Sequence, residues 1–146
     1  MSKPVTPLLA ADALIELVDQ PGRPIVLIAR KNPPFGWAIP GGFVDVGETV
    51  ETAAVREALE EVSLEVKLRD LLGIYSGPQR DPRGHTVTAV YLAEATGIPV
   101  AADDARDVGV FTLDRLPSPL AFDHAMVLED FRHYRATGEV APLRFK

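Results

Sequence analysis

The stretch Pro40–Val66, PGGFVDVGETVETAAVREALEEVSLEV, constrains this chain more than any other. A proline and two glycines interrupt regular structure, and from Thr49 onward Val55, Ala58, Leu59 and Val62 recur at intervals of three and four, which predicts an amphipathic helix. Thr49 is its expected N-cap, with Thr52 standing where Glu or Gln would complete a capping box, and Glu51 suits the positive end of the helix dipole. On a helical wheel Glu57, Glu60 and Glu61 fall opposite the aliphatic stripe, within an arc of roughly 100°. Like charges at such spacings repel by roughly 0.2–0.5 kcal/mol per pair. The helix contains no lysine, and Arg56 alone can reach Glu60 at i+4 or the preceding loop. Ala53, one turn before Glu57, leaves open space on the acidic face. Two explanations stand: a solvated charged face, the commoner meaning of an acidic stripe, or a cation held between carboxylates. Oxygen-only ligands suit Mg²⁺ or Mn²⁺ better than zinc or copper.

The remainder of the chain bounds the fold. Its 146 residues, 47% hydrophobic, support one well-buried core, so a single domain over residues 1–146 is expected. There is no apolar run long enough to span a membrane and no basic-then-apolar leader, which predicts a cytoplasmic protein with no membrane partner. With no cysteine, disulfides, thiolate metal sites and cysteine nucleophiles are excluded. A net charge of −6 argues against nucleic acid as a partner, whereas a small anionic substrate would need arginines or a divalent metal. Ala11, Ala13, Ile15 and Leu17 alternate with Asp12, Leu14 and Glu16, and the turn DQPGRP and the run IVLIA follow, which reads as a hairpin. A short strand is expected at Trp37–Ile39, further strands at LLGIYS, HTVTAVYLA and VGVFT, and a closing helix from about Asp123 to Arg135, stopped by Gly138. Strands interspersed with two helices give an α/β (α+β) domain with a mixed sheet.

The segment GFVDVGETVETAAVREALEEVSL resembles the Nudix box, G-x5-E-x7-R-E-U-x-E-E-x-G-U, with U a large aliphatic residue. Gly42, Glu48, Arg56, Glu57, Glu60 and Glu61 match at their spacings, a coincidence expected by chance in about one chain in 10⁵. Two positions depart: Ala58 replaces the first large aliphatic residue, and Ser63 stands where glycine would adopt a left-handed cap. The resemblance implies a mixed β-sheet between helices, a loop–helix–loop metal site, and a Mg²⁺-dependent (or Mn²⁺-dependent) hydrolase of nucleoside diphosphates linked to another moiety. It further implies Glu57, Glu60 and Glu61 as metal ligands, completed by the backbone carbonyl of Gly41. Glu57 is the base in some branches of the family, and Arg56 and Glu48 orient the carboxylates. Glu94, Asp103 and Asp104 are further acids to consider. The resemblance allows a homodimer without requiring it, and the apolar VTPLLA near the N-terminus suits either an interface or plain core.

Outside the box, RDPRGH and LAFDHA resemble segments of the ADP-ribose pyrophosphatase branch, which makes a small nucleotide the expected partner and ADP-ribose, cleaved to AMP and ribose 5-phosphate, the expected substrate. The alternatives are hydrolysis of a nucleoside triphosphate and a sensor that binds ADP-ribose without turnover. Arg80 and Arg83 are candidates for phosphate or ribose contacts, with His85 and Phe122 as neighbours, while Phe35 and Trp37 could stack on adenine. The blander readings are a turn into a strand for RDPRGH, a helix start with Asp123 as N-cap and Phe122 as staple for LAFDH, a surface or half-buried His124, and aromatic cover for one end of the core.

Overall fold

In the computed structural model, which describes residues 2–145, the chain forms seven strands and two helices. Strand β1 (Leu8–Leu17) pairs in parallel with β6 (Thr86–Ala95) along its whole length, from Leu8 opposite Thr86 to Leu17 opposite Ala95. Its pairing with β2 (Ile25–Arg30) is antiparallel and confined to Glu16 opposite Ile25, so the expected hairpin is only a turn and its closing pair. The sheet runs β3 (Trp37–Ala38), β2, β1, β6, β5 (Lys67–Tyr75), with β4 (Gly41–Phe43) attached to β1 and β7 (Ala105–Phe111) to β2. This is the mixed sheet between two helices that the sequence predicts. Among the described residues no helix is long and apolar enough to cross a membrane.

The alternation in β1 sorts its side chains between the helices. Ala13, Ile15 and Leu17, with Val26 and Ile28 of β2, pack against Ala58 and Val62 of α1 (Val50–Val62). Leu14, with Ile25, Leu27 and Leu92, packs against Val127, Leu128 and Phe131 of α2 (His124–Thr137). Both faces are covered, so Asp12 and Glu16 are buried charges rather than the polar edge of a half-exposed strand. Val5, Leu8 and Leu9 at the N-terminal end are exposed and add nothing to the core.

Helix α1 begins as its sequence predicts: the Thr49 hydroxyl accepts the Thr52 N–H at 3.1 Å. Its buried stripe differs from the expected one. Val55 and Leu59 are exposed, and Ala54, Ala58, Glu61 and Val62 face inward together with Ala53. The alanines permit a close approach to the sheet that larger aliphatic residues would block, and the resulting rotation of the helix presses Glu61 into the interior. Ala53 therefore opens no space on an acidic face; it packs with Ala11, Ala54, Ala89 and Tyr91. Ser63 does adopt the left-handed cap conformation, at φ 61°, and its N–H donates to the Leu59 carbonyl. Ser63→Gly relieves the Cβ strain but gives up the hydroxyl bond to the Val100 carbonyl. A net stabilisation of about 0.5 kcal/mol is expected in urea denaturation.

On α2, Asp130 accepts the Tyr75 hydroxyl at 2.7 Å and a two-pronged bond from Arg144 at 2.7 and 2.8 Å, which fastens the C-terminal segment to β5 and α2. Burial opposes the charge on Asp130, but the Arg144 fork and the Tyr75 hydroxyl outweigh it and hold the pKa below its ordinary value. A depressed carboxylate pKa contributes stability above the unfolded value, near 3.8, and loses it as pH falls through the lower folded one. Arg144→Gln should therefore cost about 1–2 kcal/mol near neutral pH, and the deficit should shrink as pH falls through the depressed pKa of Asp130, where the wild-type carboxylate also takes up its proton. Denaturation midpoints compared across that range check the sign.

Candidate active site

Two glycines allow the site to form. A Cβ on Gly41 would lie 1.9 Å from Asp12 Oδ1 and 2.6 Å from the Ala11 carbonyl oxygen, and one on Gly42 would lie 2.5 Å from the Glu57 carboxyl. Strand β4 is thus pressed between β1 and α1, and the Gly41 N–H donates to Glu61 Oε1 at 2.7 Å. Against this corner lies a cleft of about 250 Å³ whose lining combines acidic and guanidinium side chains.

Asp12, Glu57, Glu61 and Asp104 make the acidic part of the lining. Burial pushes the Glu61 pKa up to about 8 against the pull of the Gly41 N–H, with Glu57, Asp12 and Asp104 adding to the rise. Burial also raises Glu57, which Arg56 only partly offsets. His124, taken from sequence as surface or half-buried, is 3% exposed. Its Nδ1 accepts the Ile39 N–H at 3.1 Å, which leaves the ring proton on Nε2, 3.4 Å from Asp12 Oδ2. Arg56 stands outside the lining and bridges Glu48 at 2.5 and 3.1 Å, Glu57 at 2.9 Å, Glu60 at 3.2 Å and the Phe43 carbonyl at 3.1 Å. The Arg56 bonds depress the Glu48 pKa to about 2. Glu60, bonded by the same Arg56 nitrogen as Glu57, is 43% exposed and does not line the cleft, and among the described residues no three acidic or imidazole side chains converge on one point as a cation shell. Glu57 and Glu61 alone of the three box glutamates share the cleft, and as crowded oxygen donors they fit a hard divalent cation.

Arg30, Arg83 and Arg80, with Phe122 and Phe43, make the cationic and aromatic part of the lining, beside Asp81, which pairs with Arg83. Arg30 is fixed by its Nε bond to the Pro34 carbonyl at 2.8 Å, and Arg83 by Asp81 at 3.1 and 2.9 Å. Both guanidinium carbons approach the Phe122 ring, at 4.9 and 5.4 Å from its centroid. Phe122 holds a left-handed backbone, φ 53°, a conformation uncommon outside glycine. Burial and the neighbouring charge of Arg83 both lower the Arg30 pKa. Arg80 touches the cleft, yet its guanidinium is committed to Asp123 at 2.9 and 2.7 Å and to the Thr88 hydroxyl at 2.7 Å. Asp123 consequently makes no side-chain cap for α2; its carboxylate is taken by Arg80.

Three candidates lie away from the cleft. Trp37 packs edge-on against Phe111, with ring centroids 5.1 Å apart, inside the α2-side core. Phe35 is exposed on its loop, and His85 Nε2 faces the Ser76 carbonyl oxygen at 3.0 Å. Asp12, Arg30 and His124 were not singled out as site residues from sequence. For Asp12 a signal existed, an acid among apolar residues in a strand, though Glu16 in the same strand carries it too; Arg30 and His124 carry none by themselves.

Comparison with known proteins agrees with this geometry. The sequence profile of the NUDIX domain matches residues 7–131. The chain is 46% identical over 132 residues to the ADP-ribose pyrophosphatase of Methanocaldococcus jannaschii, covering 88% of this chain and 75% of that protein. Among solved structures, a MutT NUDIX hydrolase from Burkholderia pseudomallei superposes with a TM-score of 0.75 at 34% identity, over 86% of this chain and 98% of that one. The NUDIX domain of Shewanella oneidensis NrtR, solved with ADP ribose, also gives 0.75 at 28% identity, over 91% and 90% of the two chains. The box residues, the sheet between two helices and these matches together establish that the chain belongs to the Nudix family.

Proposed function

We propose that this Nudix hydrolase cleaves ADP-ribose to AMP and ribose 5-phosphate in the cytoplasm, with Mg²⁺ or Mn²⁺ held by Glu57 and Glu61. The observation that carries the reading is the meeting of acidic and guanidinium side chains in the lining of one cleft. Buried carboxylates that repel one another gain from a cation, and the arginines gain from phosphate oxygens, so a metal–diphosphate complex neutralises both sets at once. The 46% identity to a protein named for ADP-ribose supports that substrate. A divalent cation bound there would screen the diphosphate and lower the pKa of water. Water adds to one phosphorus and the P–O–P bond breaks, with a phosphomonoester on each side.

The chain's own groups divide the remaining tasks. Arg30 and Arg83 hold diphosphate oxygens, and Phe122 and Phe43 offer apolar faces to the ribose or base. Glu57 is the candidate base, oriented by Arg56, which Glu48 in turn fixes. His124 keeps Asp12 in place beside Gly41.

The test is product analysis after incubation with ADP-ribose and Mg²⁺, beside a panel of nucleoside triphosphates. AMP and ribose 5-phosphate as dominant products are expected. Preference for a triphosphate would overturn the substrate assignment, and tight ADP-ribose binding without turnover would replace the enzyme with a sensor.

A further inference from the structure

At the other end of β1 the sheet sets two carboxylates side by side. Glu16 of β1 and Glu94 of β6 are registered partners in the parallel pair, a placement in which like charges repel. Glu16 is buried and Glu94 about one-third exposed. Three arginines from three separate elements converge on them. Arg23, from the turn after β1, bonds Glu16 at 3.0 Å and Glu94 at 2.8 Å. Arg69 of β5 bonds both at 3.1 Å, and Arg135 of α2 bonds Glu16 at 2.9 Å.

The charges do not balance. Three guanidiniums against two carboxylates leave one positive charge in excess, in a chain whose net charge is −6. Donors are also left over. A guanidinium has five N–H groups, and among the described residues the bonds of Arg23 use Nε and Nη2, those of Arg69 use Nη1 and Nη2, and those of Arg135 use Nη2. The three side chains are 31–44% exposed and border a basin of about 550 Å³, floored by Phe131 and Tyr134. Arg135 and Arg69 lie over these rings at 4.8 and 5.9 Å. A network built only to neutralise Glu16 and Glu94 would need two cations and no basin. Guanidiniums arriving from three directions with N–H groups to spare suit a tetrahedral oxyanion.

We propose that this basin is a second anion site, which binds the phosphate group of a small phosphomonoester or of free phosphate. It lies about 13 Å along β1 from Asp12 and shares no residue with the cleft. Helix α2 spans the two, with His124 against Asp12 and Arg135 against Glu16.

Amide NMR on the whole protein separates the two sites in one spectrum. Inorganic phosphate and AMP are titrated in turn without metal, with Gly22, Arg23 and Gly138 reporting the basin and Gly41 and Gly42 the cleft. Saturable shifts at the first three are expected. Saturation by both titrants assigns the free phosphate group, and saturation by AMP alone assigns the monoester. Arg23→Gln should weaken the basin's affinity about tenfold, and Glu94→Gln, which removes a competing anion, should strengthen it severalfold. Shifts that rise without saturating, or saturation that neither substitution alters, would overturn the site. Because the titration is metal-free, silence at the cleft amides while the basin saturates leaves the cleft reading untouched and shows that the two sites are separate.

Discussion

Glu61→Gln should abolish nearly all hydrolysis while leaving the metal-free protein as stable as the wild type or more so. The amide keeps an oxygen where Oε1 accepts the Gly41 N–H, so the corner between β4 and α1 holds its shape. What disappears is the charge that, on the proposed reading, retains the cation. A fall of about 10³-fold or more in kcat/KM is expected, in the range associated with losing electrostatic stabilisation of a transition state. Stability should move the other way. A carboxylate raised from 4.5 to about 8 stays protonated in the folded protein while the unfolded chain ionises, so folding loses stability as pH climbs from the lower value to the higher. Glutamine has no such penalty, and the variant's advantage should be greatest at pH 8 and above. Added Mg²⁺ should raise the melting temperature of the wild type and not that of the variant. A variant that is inactive and also markedly less stable without metal would mean that Glu61 serves the fold; one that keeps its activity would remove it from the site.

The split between Glu57 and Glu61 on one side and Glu60 on the other shows where sequence reasoning stops. All three glutamates sit at box spacing, and a helical wheel places them on a common face. The wheel has no neighbours, however. The alanines at 53, 54 and 58 bring α1 against the sheet in an orientation that buries Glu61 and leaves Val55 and Leu59 in solvent. Glu60 shares an Arg56 nitrogen with Glu57 but does not line the cleft. Local patterns were legible because they are contiguous: the Thr49 cap, the left-handed Ser63, the strand segments and the closing helix. The parallel pairing of β1 with β6 joins residues more than seventy positions apart, and no periodicity within either strand encodes it. Arg83 and Phe122 were legible as candidates, but Arg30 was hidden for the same reason, since the end of β2 meets them only after two distant loops fold against it.

The two arginines of RDPRGH, alike in sequence, should separate cleanly when each is truncated. Arg80 has a side chain only 5% exposed, and its fork closes on Asp123 while a third nitrogen reaches Thr88. Arg80→Ala leaves the Asp123 carboxylate and the Thr88 hydroxyl without their donor in a confined space, at a cost of about 3–5 kcal/mol. That is a large share of the 5–15 kcal/mol typical of a folded domain, and a drop in melting temperature of roughly 10 °C or more is expected. Arg83 is itself 46% exposed, but its partner Asp81 is buried. The Arg83 backbone N–H and the Thr86 hydroxyl still bond Asp81 when the side chain is lost. Arg83→Ala should therefore cost about 1–2 kcal/mol, less than Arg80→Ala, and should raise KM for the diphosphate substrate. A double-mutant cycle of Arg80→Gln with Asp123→Asn locates the cause: the pair should cost less than the sum of its single changes, because neither then strands a buried charge. Wild-type melting together with a raised KM in Arg80→Ala would instead place Arg80 among the groups that bind substrate, and the Asp123 pair would then be a resting contact that phosphate displaces.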